Sequence, residues 1–214
     1  MINFVLQYPL FYRLYQKIVR KKNHEYDFFK YIFSQISKNK KIKMLDLCSG
    51  DSFILDYVSE YIDDYVGLDN NEKYLKKLKK KWPKYTFLKK DITNLNHIQD
   101  LKNFEPNCIF MNGAIHHLDN KTMGSIISFI NNYNDSIFLS VDPIKYNNKI
   151  LNKIMIFLDR GKFIRDKKEY ENLMVNYQHY VIDDFYKMSF QNMFHYKNVN
   201  LLDLYDSWKK TLNK

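Results

Sequence analysis

Short apolar runs alternate with amphipathic stretches through the middle of the chain. The runs at 44–47, 65–68, 85–88, 108–111 and 136–141 are mostly apolar and predict buried strands. Helical periodicity lies between them, near 52–61, 71–82, 95–103 and 121–132. Buried strands separated by helices predict a parallel, doubly wound α/β sheet.

The two ends of the chain follow other patterns. Residues 9–20 combine apolar and basic positions at helical spacing and predict a basic amphipathic helix, with a second helix over 25–37. Beyond Pro143, helices near 145–158 and 167–175 precede β-like stretches at 178–184 and 189–196. These stretches suit an antiparallel pair that closes the sheet. No element is predicted for 197–214, and we expect one undivided domain.

The net charge of +10 comes from 34 basic and 24 acidic residues and raises the possibility of a polyanionic partner. The densest lysine run, at 73–90, contains an apolar stripe of Tyr74, Leu75, Leu78 and Trp82 at helical spacing. Its lysines therefore fall on the remaining faces and indicate a solvated helix surface. Aromatic side chains placed to stack on exposed bases are not evident there, which argues against nucleic acid.

Cysteine usage and apolar run lengths bear on the cellular setting. Cys48 and Cys108 are too few for a disulfide framework, and no paired metal-binding motif accompanies them, so we expect no metal and a reduced, cytoplasmic setting. Pro9 interrupts the apolar N-terminal stretch, and no basic region precedes it, so no signal peptide is predicted. No apolar run approaches the roughly 18 residues that a membrane-spanning helix needs.

The first predicted strand leads into a turn of small residues, Asp46-Leu-Cys-Ser-Gly-Asp-Ser52, before a helix. Such a turn lets backbone amides approach a ligand closely. Asp69 ends the second strand about twenty residues later, where a carboxylate can accept both hydroxyls of a ribose. A dinucleotide-binding turn needs Gly or Ala where this chain has Phe53, whereas small residues do occupy the alternate positions 48, 50 and 52.

This turn and three later motifs resemble the class I S-adenosylmethionine-dependent methyltransferases, and in particular a bacterial subgroup of small single-domain enzymes. The later motifs are Val66-Gly-Leu-Asp-Asn70, Leu88-Lys-Lys-Asp-Ile92 and Phe110-Met-Asn-Gly-Ala-Ile-His-His-Leu118, and a Pro-Leu-x-Tyr-Arg-Leu helix at 9–14 precedes them. The likeness covers about residues 8–196. It implies a Rossmann-like, doubly wound, mostly parallel seven-stranded sheet with an antiparallel C-terminal pair. Within the single domain 1–214, it implies a helical lid over 1–40, a cofactor-binding core over 41–142 and a substrate side over 143–214.

The resemblance also implies a cofactor, S-adenosylmethionine, with S-adenosylhomocysteine as product, and the residues that hold it. Asp46, Cys48 and Gly50 would border the methionine end, and Asp69 would bind the ribose. The adenine would contact Asn70, Asp91 and Ile92, the sulfonium would lie near Asn112 and Gly113, and Tyr12 of the lid would lie near the methionine carboxylate. Taken singly, Asp46 or Asp91 could also be a turn or helix-capping carboxylate. Cys48 and Ser52 stand where the family usually has glycine.

Methyl transfer from a sulfonium needs mainly alignment and exclusion of water, with a general base only if the acceptor must lose a proton. His117, His116 or Asp142 could serve as that base, although a histidine at such a junction often only hydrogen-bonds backbone. For the acceptor, Arg160 and Arg165 suggest a clamp for an anionic small molecule, with Tyr15 of the lid nearby. Ion pairs of Asp159, Arg160 and Asp166 that merely fix this segment are the alternative.

Three functions remain open at this stage. Methylation of a small-molecule acceptor is the main hypothesis. A nucleic-acid methyltransferase that uses the basic surface is the second, although the fourth motif reads Asn-Gly-Ala-Ile rather than the Asn/Asp-Pro-Pro-aromatic string of enzymes acting on nucleic-acid amino groups. A binding protein that has lost catalysis is the third. For the first helix, a membrane-surface role and ordinary packing compete with the lid.

Overall fold

The computed structural model describes residues 24–97, 101, 103–145, 161–182, 185 and 191–212. The helix predicted over 9–20 and the one predicted over 145–158 lie almost wholly outside these ranges. The second predicted helix forms close to its expected bounds, as His24–Ile36.

Seven strands form one sheet in the order β3-β2-β1-β4-β5-β7-β6. The five N-terminal strands pair in parallel, and β7 is antiparallel to both β5 and β6. The predicted doubly wound sheet with its antiparallel C-terminal pair is therefore confirmed. The strands are β1 (Ile42–Leu47), β2 (Ile62–Asp69), β3 (Thr86–Lys89), β4 (Cys108–Asn112), β5 (Ile137–Pro143), β6 (Gln178–Ile182) and β7 (Asn192–Lys197).

Helices cover both faces of the sheet, and the sheet separates two apolar cores. No helix among the described residues has the length and apolar character needed to span a bilayer. The α-helices in these ranges are α1 (His24–Ile36), α2 (Leu55–Val58), α3 (Glu72–Lys81), α4 (Asn120–Asn131), α5 (Lys167–Leu173) and α6 (Leu201–Leu212). Shorter 3-10 turns lie at Ser59–Tyr61, Ile92–His97 and Ile115–His117.

Side-chain caps explain where three of the helices begin. Asn71 accepts hydrogen bonds from the first turn of α3, and Asp119 accepts one from the first turn of α4. Asp166 and Glu169 form a reciprocal capping box at the start of α5. Leu75 and Leu78 of α3 are buried while its lysines are exposed, as the apolar stripe predicts.

Two predicted helices are wrong in kind or extent. In place of a helix near 52–61, the chain forms only the one-turn α2 and a 3-10 turn, because Ser52 takes a left-handed backbone with φ of 43°. Of the helix predicted near 95–103, residues 98–100 and 102 lie outside the described residues, and 95–97 belong to a 3-10 turn over Ile92–His97.

The C-terminal segment, for which no element was predicted, contains α6. Its buried residues Leu201, Tyr205 and Trp208 follow helical spacing. Tyr205 and Trp208 contact the ring of Phe28 in α1 at centroid distances of 5.4 and 5.2 Å. The segment thus completes the core on that face of the sheet.

The order of the strands places a crevice at one edge of the sheet. From β1 the chain proceeds outward to β2 and β3, and then returns to place β4 on the other side of β1. The carboxyl ends of β1 and β4 therefore lie at the point where the winding reverses. In open α/β sheets, ligands bind in the crevice outside this point.

Candidate functional site

The turn after β1 has a tightly curled backbone. Cys48, Gly50 and Ser52 all have positive φ, at 62°, 55° and 43°. The small residues at alternate positions therefore share one conformational demand, which glycine meets most easily. Hydrogen bonds from Ser49 N to Leu68 O (2.8 Å) and from Ser52 N to Ser49 O (2.7 Å) hold this shape.

Asp69 joins this turn to the end of β2. Its Oδ2 accepts a hydrogen bond from Gly50 N at 2.8 Å, and its Oδ1 accepts one from Asn71 N at 2.7 Å. A carboxylate has about four lone-pair positions, so each oxygen can still accept another donor. The half-buried Asp69 therefore presents a fixed, negatively charged acceptor beside the turn.

Asp46 lies at the base of the same turn, buried in β1 rather than capping a helix. Its Oδ2 accepts a hydrogen bond from the Tyr65 hydroxyl at 2.6 Å, and that hydroxyl lies 2.9 Å from Ser52 Oγ. Burial raises the pKa of Asp46 to about 7, opposed by the Tyr65 hydrogen bond and assisted by the charge of Asp69. Burial likewise raises the pKa of Tyr65 well above its usual value.

Cys48 marks the place where the carboxylates of the site converge. Burial raises the pKa of its thiol well above the usual range, and the charges of four aspartates raise it further. The thiol is therefore neutral and a poor nucleophile. These aspartates, Asp69, Asp46, Asp142 and Asp91, come from four different strand ends, and their carboxyl groups converge around Cys48.

Asp91 and its neighbours lie at the β3 end of the crevice. Asp91 Oδ1 accepts a hydrogen bond from Thr93 N at 2.9 Å, so it caps the following 3-10 turn, as its alternative interpretation expects. Ile92 is buried, whereas Asn70 is exposed after β2. Capping leaves the second carboxylate oxygen of the exposed Asp91 available for a ligand.

The end of β4 brings Asn112 and Gly113 to the crevice and then reverses direction. Gly113 has a φ of 63°, and its amide donates to Val141 O at 2.8 Å. A Cβ built on Gly113 would lie 3.8 Å from His116 Cε1. The imidazole of His116 therefore faces this glycine.

His116 and Asp142 form a buried pair across β4 and β5. His116 Nδ1 lies 2.7 Å from Asp142 Oδ1, and the His116 amide donates to the same oxygen at 3.1 Å. Burial raises the pKa of Asp142, opposed by the hydrogen bond from His116. Asp142 Oδ2 is buried without a hydrogen-bond partner among the described residues. With Asp142 ionised, Nδ1 carries the proton, and Nε2 is the acceptor nitrogen.

His117 differs from His116 in its surroundings. It is exposed, and its ring centroid lies 4.1 Å from that of His116. Of the two histidines, only His116 has its ring nitrogen at hydrogen-bonding distance from the buried Asp142.

Arg165 is buried, and the fold occupies all five of its N–H donors. They bond to Ile115 O, Leu118 O, Phe163 O and twice to Asn120 Oδ1, at 2.7–3.3 Å. An Arg165 clamp on an anionic acceptor would have to break these bonds. Asp166 caps α5 through its Oδ1, which accepts from Glu169 N at 2.8 Å. Its expected ion pair with Arg160 stays a prediction, because Arg160 lies outside the described residues. Arg165 instead fixes the loop that carries His116.

Several predicted site residues lie outside the described residues, namely Tyr12, Tyr15 and Arg160, and so does Asp159. Their roles stay predictions. Within the described ranges, no group of histidine, cysteine or acidic side chains is arranged to hold a metal ion.

Comparison with known proteins adds structural but not sequence relatives. Neither a protein-family model nor a curated protein sequence matches the chain. Among solved structures, the methyltransferase domain of bacterial CtHen1-CN superposes with a TM-score of 0.61 at 14% identity, covering 82% of this chain and 98% of that one. The chain has the class I methyltransferase fold. 

Two further structures with this fold carry information about ligands or source. The plantazolicin methyltransferase BamL, solved with a triazolic desmethylPZN analog and SAH, gives a TM-score of 0.59 at 13% identity, covering 80% of this chain and 83% of that one. A putative type 11 methyltransferase from Sulfolobus solfataricus superposes with a TM-score of 0.55 at 19% identity, covering 76% of this chain and 87% of that one. The class I methyltransferase fold predicted from the ordered motifs is thus confirmed.

Sequence reasoning missed Tyr65, and it named Arg165 without foreseeing the partners that Arg165 has beside the crevice. Tyr65 is fully buried and connects Asp46 to Ser52, and Arg165 ties down the loop of His116. A tyrosine inside a buried strand needs a partner for its hydroxyl, and that requirement was the available signal for Tyr65. No comparable signal in the sequence points to the partners of Arg165, because most of them are backbone carbonyls.

Proposed function

We propose that the protein transfers a methyl group from S-adenosylmethionine to a small-molecule acceptor and releases S-adenosylhomocysteine. The observation that carries the proposal is the bond between Gly50 N and Asp69 Oδ2, at 2.8 Å. It joins a left-handed turn to a carboxylate with spare acceptor positions, at the point where the winding of the sheet reverses. This arrangement suits the ribose of a nucleoside cofactor.

The charge and shape of the crevice fit this cofactor. Its sulfonium and amino groups are cationic, and four aspartates act together on Cys48 in the crevice. Asp69 would hold the ribose, and Asn70, Asp91 and Ile92 would hold the adenine. The methionine end would lie against Asp46, Cys48 and Gly50, with Asn112 and Gly113 near the sulfur. When bound, the cofactor supplies a methyl carbon that is already activated for displacement.

The protein's own contribution is then to align the acceptor and, where required, to accept its proton. His116 is the best-placed base, because its Nδ1 lies 2.7 Å from Asp142 Oδ1, and a carboxylate there would orient the imidazole. Asp142 would stabilise the imidazolium that forms. His117 would serve a proton relay to solvent at most, since it is exposed beside His116.

A small molecule is the acceptor class that the neighbouring structures favour. BamL, a plantazolicin methyltransferase, was solved with a triazolic desmethylPZN analog and SAH, and DhpI was solved as a DhpI-SAM-HEP complex. An anionic acceptor would need another cation than Arg165, whose donors are occupied; Arg160 stays the candidate.

Calorimetry with S-adenosylmethionine and S-adenosylhomocysteine tests the proposal. We expect the parent protein to bind both and Asp69→Ala to weaken binding at least tenfold. Asp63→Ala is the matched control, because Asp63 lies at the opposite end of the same strand, where it accepts from Ile42 N at 3.1 Å. Absence of binding of both ligands to the parent would overturn the proposal.

A salt titration separates the nucleic-acid alternative from the small-molecule one. A protein that contacts several phosphates loses affinity steeply as salt concentration rises. We expect weak or undetectable binding of a single-stranded RNA oligonucleotide at physiological salt. Tight binding with a steep salt dependence would favour the basic surface of α3 as a substrate-binding site.

A further inference from the structure

The turn that follows β1 contains two residues that are unfavourable in its backbone conformation. Cys48 and Ser52 have side chains at left-handed φ values of 62° and 43°, where L-residues with a Cβ are strained. Such strain persists only where surrounding contacts hold the backbone in place.

Ser52 is anchored through its hydroxyl to Tyr65 of β2. Its Oγ lies 2.9 Å from the Tyr65 hydroxyl, and it is 3.4 Å from Ser49 O. Tyr65 donates its single proton to Asp46 Oδ2 at 2.6 Å. With Asp46 ionised, Ser52 must therefore donate to Tyr65, and a directed chain of hydrogen bonds runs from the turn to the buried carboxylate.

Gly67, two residues after Tyr65 on β2, packs closely against both the tyrosine ring and the turn. A Cβ on Gly67 would lie 2.9 Å from Tyr65 Cε1, which would force a displacement, and 3.0 Å from Ser49 Oγ, which is a tight contact. Gly67 thus leaves room for both the tyrosine ring and the turn. Two residues of β2 hold the turn. Tyr65, in the middle of the strand, lies 2.9 Å from Ser52 Oγ, and Asp69, at its end, accepts a hydrogen bond from Gly50 N.

We propose that Tyr65 is a positioning residue of the cofactor site, whose hydroxyl bridges Asp46 and Ser52 and so holds the 48–52 turn in its ligand-binding shape. This inference rests on the proposed function. Tyr65 touches neither ligand nor reacting atoms; it acts through Ser52 and Asp46. It explains how the chain keeps the turn with serine in a position that favours glycine.

Two tyrosine-to-phenylalanine variants provide a matched comparison. Tyr85 is also buried, lies 5.4 Å from Tyr65 between ring centroids, and donates to Ile62 O at 2.9 Å, away from the turn. We expect Tyr65→Phe to weaken S-adenosylhomocysteine binding about tenfold and to speed amide hydrogen exchange over 48–54. Tyr85→Phe should change neither quantity beyond twofold, although both variants lose one buried hydroxyl.

Ser52→Gly provides the rescue that a merely structural role for Tyr65 would not give. Glycine adopts the left-handed backbone without the anchor, so Y65F/S52G should recover most of the affinity that Y65F loses. Tyr65→Phe should also move the pH dependence of binding upward, because Asp46 loses the hydrogen bond that stabilises its ionised form. Asp69 is the other charged group that acts on Asp46, and it is unchanged in these variants.

Three results would overturn the inference: equal affinity of Y65F and the parent, an equal loss in Y85F, or no rescue by S52G. If the parent binds neither ligand, the proposed function fails, and hydrogen exchange alone then tests the turn. Faster exchange in Y65F than in Y85F would keep Tyr65 as the support of the turn, and equal exchange would remove it.

Discussion

His179 and His195 face each other across β6 and β7, with their Nδ1 atoms 2.9 Å apart. His179 Nε2 lies 3.1 Å from Met174 O, and a carbonyl only accepts, so this nitrogen carries a proton. In the neutral pair, His179 Nδ1 is then the acceptor, and His195 Nδ1 is the donor. His195 Nε2 is left as a buried nitrogen without a hydrogen-bond partner among the described residues.

This pair makes the fold sensitive to acid. Burial lowers the pKa of His195 well below its usual value, and the charges of His179 and Arg165 lower it further. Above about pH 6.5 the residue is neutral in both the folded and the unfolded state. As the pH falls below that value, only the unfolded chain takes up the proton, and the free energy of unfolding decreases.

His195→Asn should reduce the loss of stability at low pH, because the asparagine amide can still donate to His179 but does not titrate. We expect the variant to be less stable at pH 8, owing to the smaller side chain, but to lose less stability between pH 8 and pH 5.5 than the parent. Urea unfolding at each pH measures this. His117→Asn, at an exposed histidine, is the control; an unchanged pH dependence in His195→Asn would contradict the assignment.

Asp46 should make the protein less stable as the pH rises, which is opposite to the effect of His195. Its pKa is raised from 3.8 to about 7, so the folded protein holds a proton that the unfolded chain releases. The free energy of unfolding therefore falls as the pH rises from about 4 to about 7, by up to about 4 kcal/mol for a shift from 3.8 to about 7. Asp46→Asn should flatten this component in urea unfolding, since Tyr65 can still donate to the amide oxygen.

Asp63→Asn is the matched control for Asp46→Asn, because Asp63 is exposed near the start of β2, at the end of the strand away from the crevice. It should leave the pH dependence as it is in the parent. If Asp46→Asn retains the full dependence between pH 4 and pH 7, Asp46 is not the group responsible.

Much of the sheet could be predicted from the sequence, because a strand buried on both faces is apolar throughout. The run Cys108–Met111 is an example, and all four residues are buried. Shorter elements were harder to predict. The apolar pattern after Ser49 resembles a helix start, but the left-handed backbone of Ser52 delays α2 until Leu55.

The acidic residues of the crevice could be found from motif order, but their hydrogen-bond partners could not. Asp69 accepts a hydrogen bond from the backbone amide of Gly50. Because nearly every residue type has such an amide, the sequence does not reveal this partner. The rarity of arginine in this chain suggested a ligand clamp for Arg165, yet its partners are chiefly carbonyl oxygens. Any residue type supplies a carbonyl, so such partners are visible only in three dimensions.

Gly67→Ala tests the close contact between β2 and the turn. The added Cβ would lie 2.9–3.1 Å from Tyr65 Cε1, Ser49 Oγ and Phe87 Cδ1. Overpacking of this kind costs about 1–3 kcal/mol, and we expect a lower midpoint of urea unfolding together with weaker S-adenosylhomocysteine binding. Gly124→Ala is the control, because nothing lies within 4 Å of its added Cβ in α4.

In the control, alanine at the exposed position 124 should stabilise α4 by about 0.5–1 kcal/mol relative to glycine. An equally well tolerated Gly67→Ala would show that the turn and Tyr65 have more room than the structure gives them.

Arg165→Lys distinguishes a structural residue from a substrate clamp. Lysine has three donors in place of five and cannot reproduce the fork that bonds Asn120 and three carbonyls. We expect the free energy of unfolding to fall by about 2–3 kcal/mol, since buried carbonyls lose their donors. Thermal unfolding measures this, with Lys162→Ala at an exposed position as the control. An unchanged melting temperature with reduced acceptor affinity would support the clamp instead.

The pairing of His116 with Asp142 makes a prediction about the position of one proton. Because Asp142 Oδ1 accepts from the amide of His116 and lies 2.7 Å from its Nδ1, an ionised Asp142 requires the imidazole to be protonated at Nδ1, and we expect this tautomer near pH 7. Nitrogen-15 chemical shifts of histidine-labelled protein report this tautomer, and His116→Gln assigns the signal. An unprotonated Nδ1 would contradict the proposed base.

The same residue then decides the rate of proton removal from the acceptor. With an acceptor that must lose a proton, His116→Gln should lower kcat by about 10²–10⁴-fold, which is the usual contribution of a general base. The affinity for S-adenosylhomocysteine should fall far less than kcat, because the proposed ribose contact of Asp69 is unchanged and only the side chain facing Gly113 is replaced. His117→Gln, at the exposed neighbour, should lower kcat far less. Equal losses in the two variants would mean that Asp142 does not select His116 as the base.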